Sequence, residues 1–209
     1  MRRIVLLAVV ALGAGFITRA DAQRRPTGGR DRGLVEVQPS GIRHGFYGGL
    51  GLGDGMEQYK FAGDTFTSRV GKPSLSIRLG GTPSEQVRLG AELFGWSNPI
   101  NDGVTDSENF GVALMSGQFF LAPQSGFYLK AGAGFATSGV NYANGSNTNE
   151  TGFAFALGTG YEFQVSRSVS VGPTLDWYQG TFTKRGDATL TERVLNLGVQ
   201  VTFQGGGRR

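Results

Sequence analysis

The sequence predicts an all-β protein, an eight-stranded antiparallel up-and-down transmembrane β-barrel, and three observations carry that prediction. Apolar residues recur at every second position through eight segments, the period of a strand whose two faces meet different surroundings. The connections between these segments alternate between long and short. The face opposite the oily one is largely Gly, Ser and Ala with a few charges, and 36 of the 209 residues are glycine. Such a face buries too little apolar surface to make the dry core of a soluble barrel or sandwich. The oily face is therefore expected to point outward, into lipid.

The chain opens with Met1-Arg2-Arg3, an apolar run from Ile4 to Phe16 and Ala20-Asp21-Ala22. A charged start, an apolar stretch and a small-x-small site are the composition of a signal peptide, here residues 1–22, cut before Gln23. The apolar run is shorter than the ~20 residues of a spanning helix. Export makes the absence of cysteine a property of a fold built without disulfides, not the mark of a reducing compartment. Residues 23–43 carry Arg24, Arg25, Arg30 and Arg32 with few large apolar groups, and read as a flexible basic periplasmic lead-in.

The barrel is expected over residues 44–203. Strand one, His44 to Gly53, has Phe46, Gly48, Leu50 and Leu52 outward and Tyr47, Gly49, Gly51 and Gly53 inward. A long polar loop over 54–72 leads to strand two, Ser74 to Gly80, where Leu75, Ile77 and Leu79 oppose Ser74, Ser76 and Arg78. The link 81–85 has turn composition. In strand three Val87, Leu89, Ala91 and Leu93 oppose Arg88, Gly90 and Glu92. A loop over 97–108 precedes a hairpin from Asn109 to Ala136, with Phe110, Val112 and Leu114 on the oily face of its first arm. Its second arm has Phe127, Leu129, Ala131, Ala133 and Phe135 on the oily face and Lys130 among small residues on the other. After a loop over 137–150, strand six sets Phe153, Phe155, Leu157, Thr159, Tyr161 and Phe163 against Gly, Ala and Glu162. A short turn leads to strand seven, where Val169, Val171, Pro173, Leu175 and Trp177 oppose Asp176 and its neighbours. Proline lacks the N–H of a ladder, so a bulge is expected at Pro173. A loop over 179–191 and strand eight, ending at Phe203, complete the count, and residues 204–209 form a short periplasmic tail.

An even strand number, alternating short turns and long loops, and strands near the ~9–11 residues that cross a bilayer fit a membrane barrel with its short turns in the periplasm. Aromatic residues support the same orientation. Phe46, Phe119, Phe120, Phe127, Tyr161, Phe163 and Phe203 fall by the short turns or termini, and Phe110, Phe135, Phe153 and Trp177 by the long loops. Two aromatic belts around an aliphatic band are the expected anchors of such a barrel.

Gly45-Phe46-Tyr47-Gly48-Gly49-Leu50-Gly51, the run Leu129 to Phe135, Val171-Gly172-Pro173 and the run Leu197 to Phe203 resemble the outer-membrane β-barrel family of OmpA/OmpX-type domains, over about His44 to Phe203. The resemblance implies location in the bacterial outer membrane, contact with its lipid and lipopolysaccharide, and insertion by the outer-membrane assembly machinery. That machinery reads a last strand ending in an aromatic residue, which Phe203 matches although Gln204 to Arg209 follow.

Eight strands enclose only enough room for their own side chains, so a diffusion pore is not expected. The inward charges are Arg78, Arg88, Glu92, Lys130, Glu162 and Asp176. If Arg78 pairs with Gly90, Arg88 and Glu92 lie diagonally across from it and Glu92 holds two arginines, making a structural ionic plug. Water-filled cavities are expected where inward glycines leave space. No catalytic, cofactor-binding or metal residue is assigned. His44, the single histidine, lies at the periplasmic end, and without cysteine there is no thiol nucleophile. The loop acids Asp54, Glu57, Asp102, Asp106 and Glu108 lack calcium-loop spacing and are expected to be solvated. The expected function is that of a non-enzymatic barrel presenting four surface loops, with a role in envelope integrity or surface interaction and no nucleic-acid partner. The alternatives are a narrow channel or small-ligand carrier using the glycine-rich lumen and a lipid-A-modifying enzyme, and the surface partner is left open.

Overall fold

The computed structural model describes residues 43–183 and 189–205. The expected signal peptide, residues 23–42 of the lead-in, residues 206–209 of the tail and residues 184–188 of the last loop lie outside the described residues. The strands are β1 (Gly45–Phe61), β2 (Val70–Ser84), β3 (Val87–Pro99), β4 (Thr105–Phe120), β5 (Phe127–Tyr142), β6 (Asn147–Tyr161), β7 (Phe163–Ser166), β8 (Val169–Thr183) and β9 (Thr189–Gly205). Each pairs antiparallel with its neighbour, and β1 pairs with β9 to close the wall.

β6 and β7 form one stave, since both pair with β8, and the barrel therefore has eight. The gap between them lies opposite Gly172 and Pro173. The pairs Gly160↔Thr174 above it and Phe163↔Val171 below it keep the same register. Proline thus interrupts the ladder without the expected bulge, because a missing donor removes a bond but adds no residue. The register shift falls lower, between Gln164 and Ser166.

Followed around the wall, the ladder runs from Leu50 through Ile77, Leu93, Ala113, Phe135, Phe153, Thr181 and Thr191 to Lys60. It returns to β1 ten residues above its start, a stagger that tilts eight strands by about 40°.

The strands are longer than expected. β1 has 17 residues and β5 has 16, and the loops shrink to 62–69, 100–104 and 143–146. Gln204 and Gly205, expected in the tail, extend β9. The polar stretches continue the ladder, as in Tyr59↔Glu192 and Asn141↔Asn147. Interstrand bonds need backbone partners, not an oily face, so hydropathy marks where the lipid ends and not where the strand does.

Leu50, Leu89, Leu157 and Leu197 are each more than half exposed on the outer wall, as expected, and Ile77 is half-buried there. Phe46, Phe119, Phe163 and Phe203 are exposed at the short-turn end and Phe135 and Phe153 toward the other. β4 reverses the expectation. Phe110, Val112 and Leu114 point inward and are buried, while Ala113, Met115 and Phe119 point outward. Both parities of β4 are apolar, so alternation does not choose between them. Register does, by setting Ala113 beside the outward Leu93 and Met115 beside the outward Ala91. Phe120, expected in the lower belt, is likewise inside. Phe110, Val112 and Leu114 join Phe94, Trp96, Tyr178, Phe182 and Val194 in an apolar core filling the outer half of the lumen. The inner face is therefore not confined to small and charged residues.

Inward glycines are sockets more than voids. A Cβ on Gly49 would meet the Gln200 amide, one on Gly158 the Asp176 carboxylate, and one on Gly160 the Tyr128 hydroxyl. Side chains from the neighbouring strands thus occupy space that composition alone would assign to water.

An arginine facing lipid at mid-height loses hydration without gaining a partner. Leu157→Arg is expected to cost about 2–4 kcal/mol, read from the urea midpoint of the barrel in lipid vesicles at unchanged denaturant slope.

Candidate functional site

The β2–β3 register places Arg78 opposite Glu92 and Gly80 opposite Gly90. The expected pairing of Arg78 with Gly90 is two residues out. The turn is tighter than the five-residue link assumed, with Ser84 paired to Val87, and a register shift lies between Gly81 and Ser84. Gly80 and Gly90 are both required there, because a Cβ on either would run into the backbone carbonyl of Leu89 or Leu79.

This register separates the six predicted charges into two groups. At mid-height Arg78 Nε lies 3.3 Å from Glu92 Oε1, and Arg78 Nη2 donates to Asp176 Oδ2 at 2.9 Å. Lys130 Nζ completes the ring, 2.6 Å from Glu92 Oε1 and 2.7 Å from Asp176 Oδ1. Two cations and two carboxylates alternate, so each charge touches two of the opposite sign. The Tyr178 hydroxyl donates to Glu92 at 2.6 Å, and Arg78 also donates to Gln200 and Tyr128. All four charged residues are buried. Taking such groups from water costs several kcal/mol per ion, which only close pairing and further hydrogen bonds offset.

Arg88 stands apart from this ring, contrary to the expectation that Glu92 would hold two arginines. It lies toward the short-turn end, where Nη1 donates to Glu162 Oε1 at 2.5 Å and Nη2 to Gln204 at 3.1 Å. Its guanidinium stands over Tyr47 and Phe120. Arg43, from the expected flexible lead-in, completes this lower group. It is buried, donates to the carbonyls of Pro123 at 2.8 Å and Ser125 at 2.5 Å, and lies 3.6 Å over the Phe120 ring. Sequence reasoning missed Arg43 because its partners are about 80 residues away, with no local pattern to mark it.

Above the apolar core the strand extensions enclose a cavity of about 190 Å³, whose walls include Glu57, Tyr59, Phe61, Trp96, Glu108 and Glu192. Glu57 and Glu108 were expected to be solvated loop acids. They instead stand on β1 and β4, and Glu57 is only 3% exposed. Asp54 and Asp106 are exposed. Asp102 accepts the backbone N–H groups of Thr105 at 2.6 Å and Val104 at 2.8 Å, which hold its carboxyl below the usual carboxylate range. His44 is exposed, with Nε2 3.9 Å from Glu85 Oε1. Among the described residues no three of His, Cys, Asp and Glu are placed to hold a metal ion.

Glu92→Gln would leave Arg78 and Lys130 sharing Asp176 alone. The expected loss is about 3–5 kcal/mol of folding stability, against less than about 1 kcal/mol for Glu85→Gln at the exposed pair, both read from denaturant midpoints in micelles.

Residues 33–203 match the family described as "Outer membrane protein beta-barrel domain". Among solved structures, Neisserial surface protein A (NspA) aligns with 75% of this chain and 96% of its own, at 16% identity and a TM-score of 0.53. Ail, the attachment invasion locus protein of Yersinia pestis, aligns with 75% of this chain and 99% of its own, at 12% identity and a TM-score of 0.44. The outer membrane protein OprG from Pseudomonas aeruginosa aligns with 79% of this chain and 99% of its own, at 13% identity and a TM-score of 0.41. No curated protein sequence matches the chain.

Proposed function

The chain belongs to the outer-membrane β-barrel family and sits in the bacterial outer membrane, and from that premise we propose that it is a non-enzymatic barrel with a closed lumen. It presents four loops on strand extensions at the cell surface and serves envelope integrity or surface contact. The observation that carries this reading is the ring Arg78, Glu92, Lys130 and Asp176. An ion crossing the barrel would have to pull both cations away from both carboxylates in a low-dielectric space and then displace the apolar core above them. All six lumen charges are read as structural, with Arg88 and Glu162 closing the periplasmic end.

The first outer loop supports a presenting role, because it is held against the wall. Thr67 exchanges backbone and side-chain hydrogen bonds with Tyr59, and the Phe66 ring lies between Lys60 and Arg193. A loop held this way offers a partner a defined surface at less ordering cost than a free one. Insertion is assigned to the outer-membrane assembly machinery, for which Phe203 supplies the terminal aromatic, outward on β9. Among the described residues the solvent-facing His44 meets the Glu85 carboxylate and no Ser or Thr hydroxyl, which favours a non-enzymatic role over lipid-A modification.

Purified protein in planar bilayers is expected to give no discrete current steps. Reproducible unitary conductance would reject the closed lumen.

A further inference from the structure

We propose that the outer wall at the β1–β9 seam holds a phosphate group of an outer-leaflet lipid between Lys60 and Arg193, with the lipid's chains lying down the apolar wall beneath. The inference deepens the surface-facing reading, on which its choice of leaflet rests. It is independent of whether the lumen conducts.

Register brings the two cations together. Gln58 pairs with Arg193 and Lys60 with Thr191, so Lys60 and Arg193 are diagonal neighbours on the outer face. The adjacent acids Glu57 and Glu192 take the opposite parity and are buried inside. Like charges placed this way repel, and an acid between them would relieve the repulsion. Among the described residues neither Lys60 nor Arg193 is paired with a carboxylate. Asp54, on the same outer face of β1, stands opposite Leu197, further down the wall.

Uncharged groups hold these cations in place. The Phe66 ring centre lies 3.5 Å from Arg193 Cζ and 5.0 Å from Lys60 Nζ. The loop carrying Phe66 is tied to β1, where Gln58 Nε2 donates to the Thr67 carbonyl at 2.7 Å and Thr67 N–H to the Tyr59 carbonyl at 2.9 Å. Gln58 Oε1 in turn accepts from Arg193 Nη2 at 3.0 Å. A ring engages the face of a guanidinium and leaves its in-plane N–H groups directed outward. Both cations are half-buried, and their remaining donors meet no acceptor among the described residues. A phosphate has the charge and the several oxygens to take a fork of Arg193 and the ammonium of Lys60 together.

Height on the wall selects the source of that phosphate. One step down the same face, Leu195 pairs with Met56 on one side and Trp177 on the other. Below them Leu52 and Leu197 are exposed. The cations thus stand at the upper edge of the apolar band, beside an interfacial tryptophan, at the level where headgroups lie. A free phosphate would gain only the two charges, whereas a lipid phosphate adds burial of its chains against the wall. The occupant is therefore a membrane lipid.

The test uses the mature chain refolded in zwitterionic detergent, titrated with phosphorylated lipid A, with the same lipid dephosphorylated, and with inorganic phosphate. Native mass spectrometry counts the bound lipid. A single saturable adduct that requires the phosphate is expected. Lys60→Gln and Arg193→Gln should each weaken it by about tenfold or more, the loss of one charge-assisted contact. Arg167→Gln removes the same charge from the exposed turn at the opposite end and should change nothing. If one of the two seam variants does not refold, the other gives the same readout. Absence of a phosphate-dependent adduct, equal weakening by Arg167→Gln, or binding of inorganic phosphate as tight as that of the lipid would each overturn the proposal. Labelling of Ser146→Cys, in the exposed loop 143–146, by a membrane-impermeant maleimide on intact cells reads the orientation separately. A barrel inserted the other way round is thereby distinguished from a wall that holds no phosphate.

Discussion

An eight-stranded wall with a stagger of ten has an interior just wide enough for its own side chains, and this constraint governs the molecule. Every inward position must be filled from the same small set of residues. The wall solves this by alternating scale. Where one strand carries Gly49, Gly158 or Gly160, the strand paired with it sends in Gln200, Asp176 or Tyr128. Composition that reads as emptiness in a single strand is complementarity across several.

The same constraint divides the lumen into layers with different physics. Near the short turns, Arg43, Arg88 and Glu162 tie the chain entrance to the floor. The neutral ring of Arg78, Glu92, Lys130 and Asp176 occupies the middle. Above it lies the aromatic and aliphatic core around Phe94, which stacks on Tyr178 at 4.0 Å between ring centroids. Tyr178 joins the two layers, because its ring belongs to the core and its hydroxyl donates to Glu92. A buried ion pair is a weak source of net stability but a strong penalty against misalignment. On the structural reading proposed above, the ring fixes register among β2, β3, β5 and β8.

The fold was legible from the chain because a membrane wall writes its two environments into alternate residues. The leucines at 50, 89, 157 and 197 were placed correctly, and so was the inward parity of all six lumen charges. β4 was misread because it is apolar on both parities: Phe110, Val112 and Leu114 face the core while Ala113, Met115 and Phe119 face lipid. The ends of strands were misread as loops because water permits polar residues on both faces of a ladder. Glu57 and Glu108 thus looked like solvated acids while lining a cavity.

What the sequence determined by itself was the architecture and its surroundings: eight staves, an oily exterior and charges turned inward, all consequences of local periodicity. Which charge meets which was decided by tertiary structure alone. The β2–β3 register sets Arg78 directly opposite Glu92, while Arg88, further along the same strand, meets Glu162, and the closure of β1 on β9 sets Glu57 near Glu192 across the seam. Periodicity specifies a face, but pairing depends on stagger, and stagger is settled only when the whole wall closes.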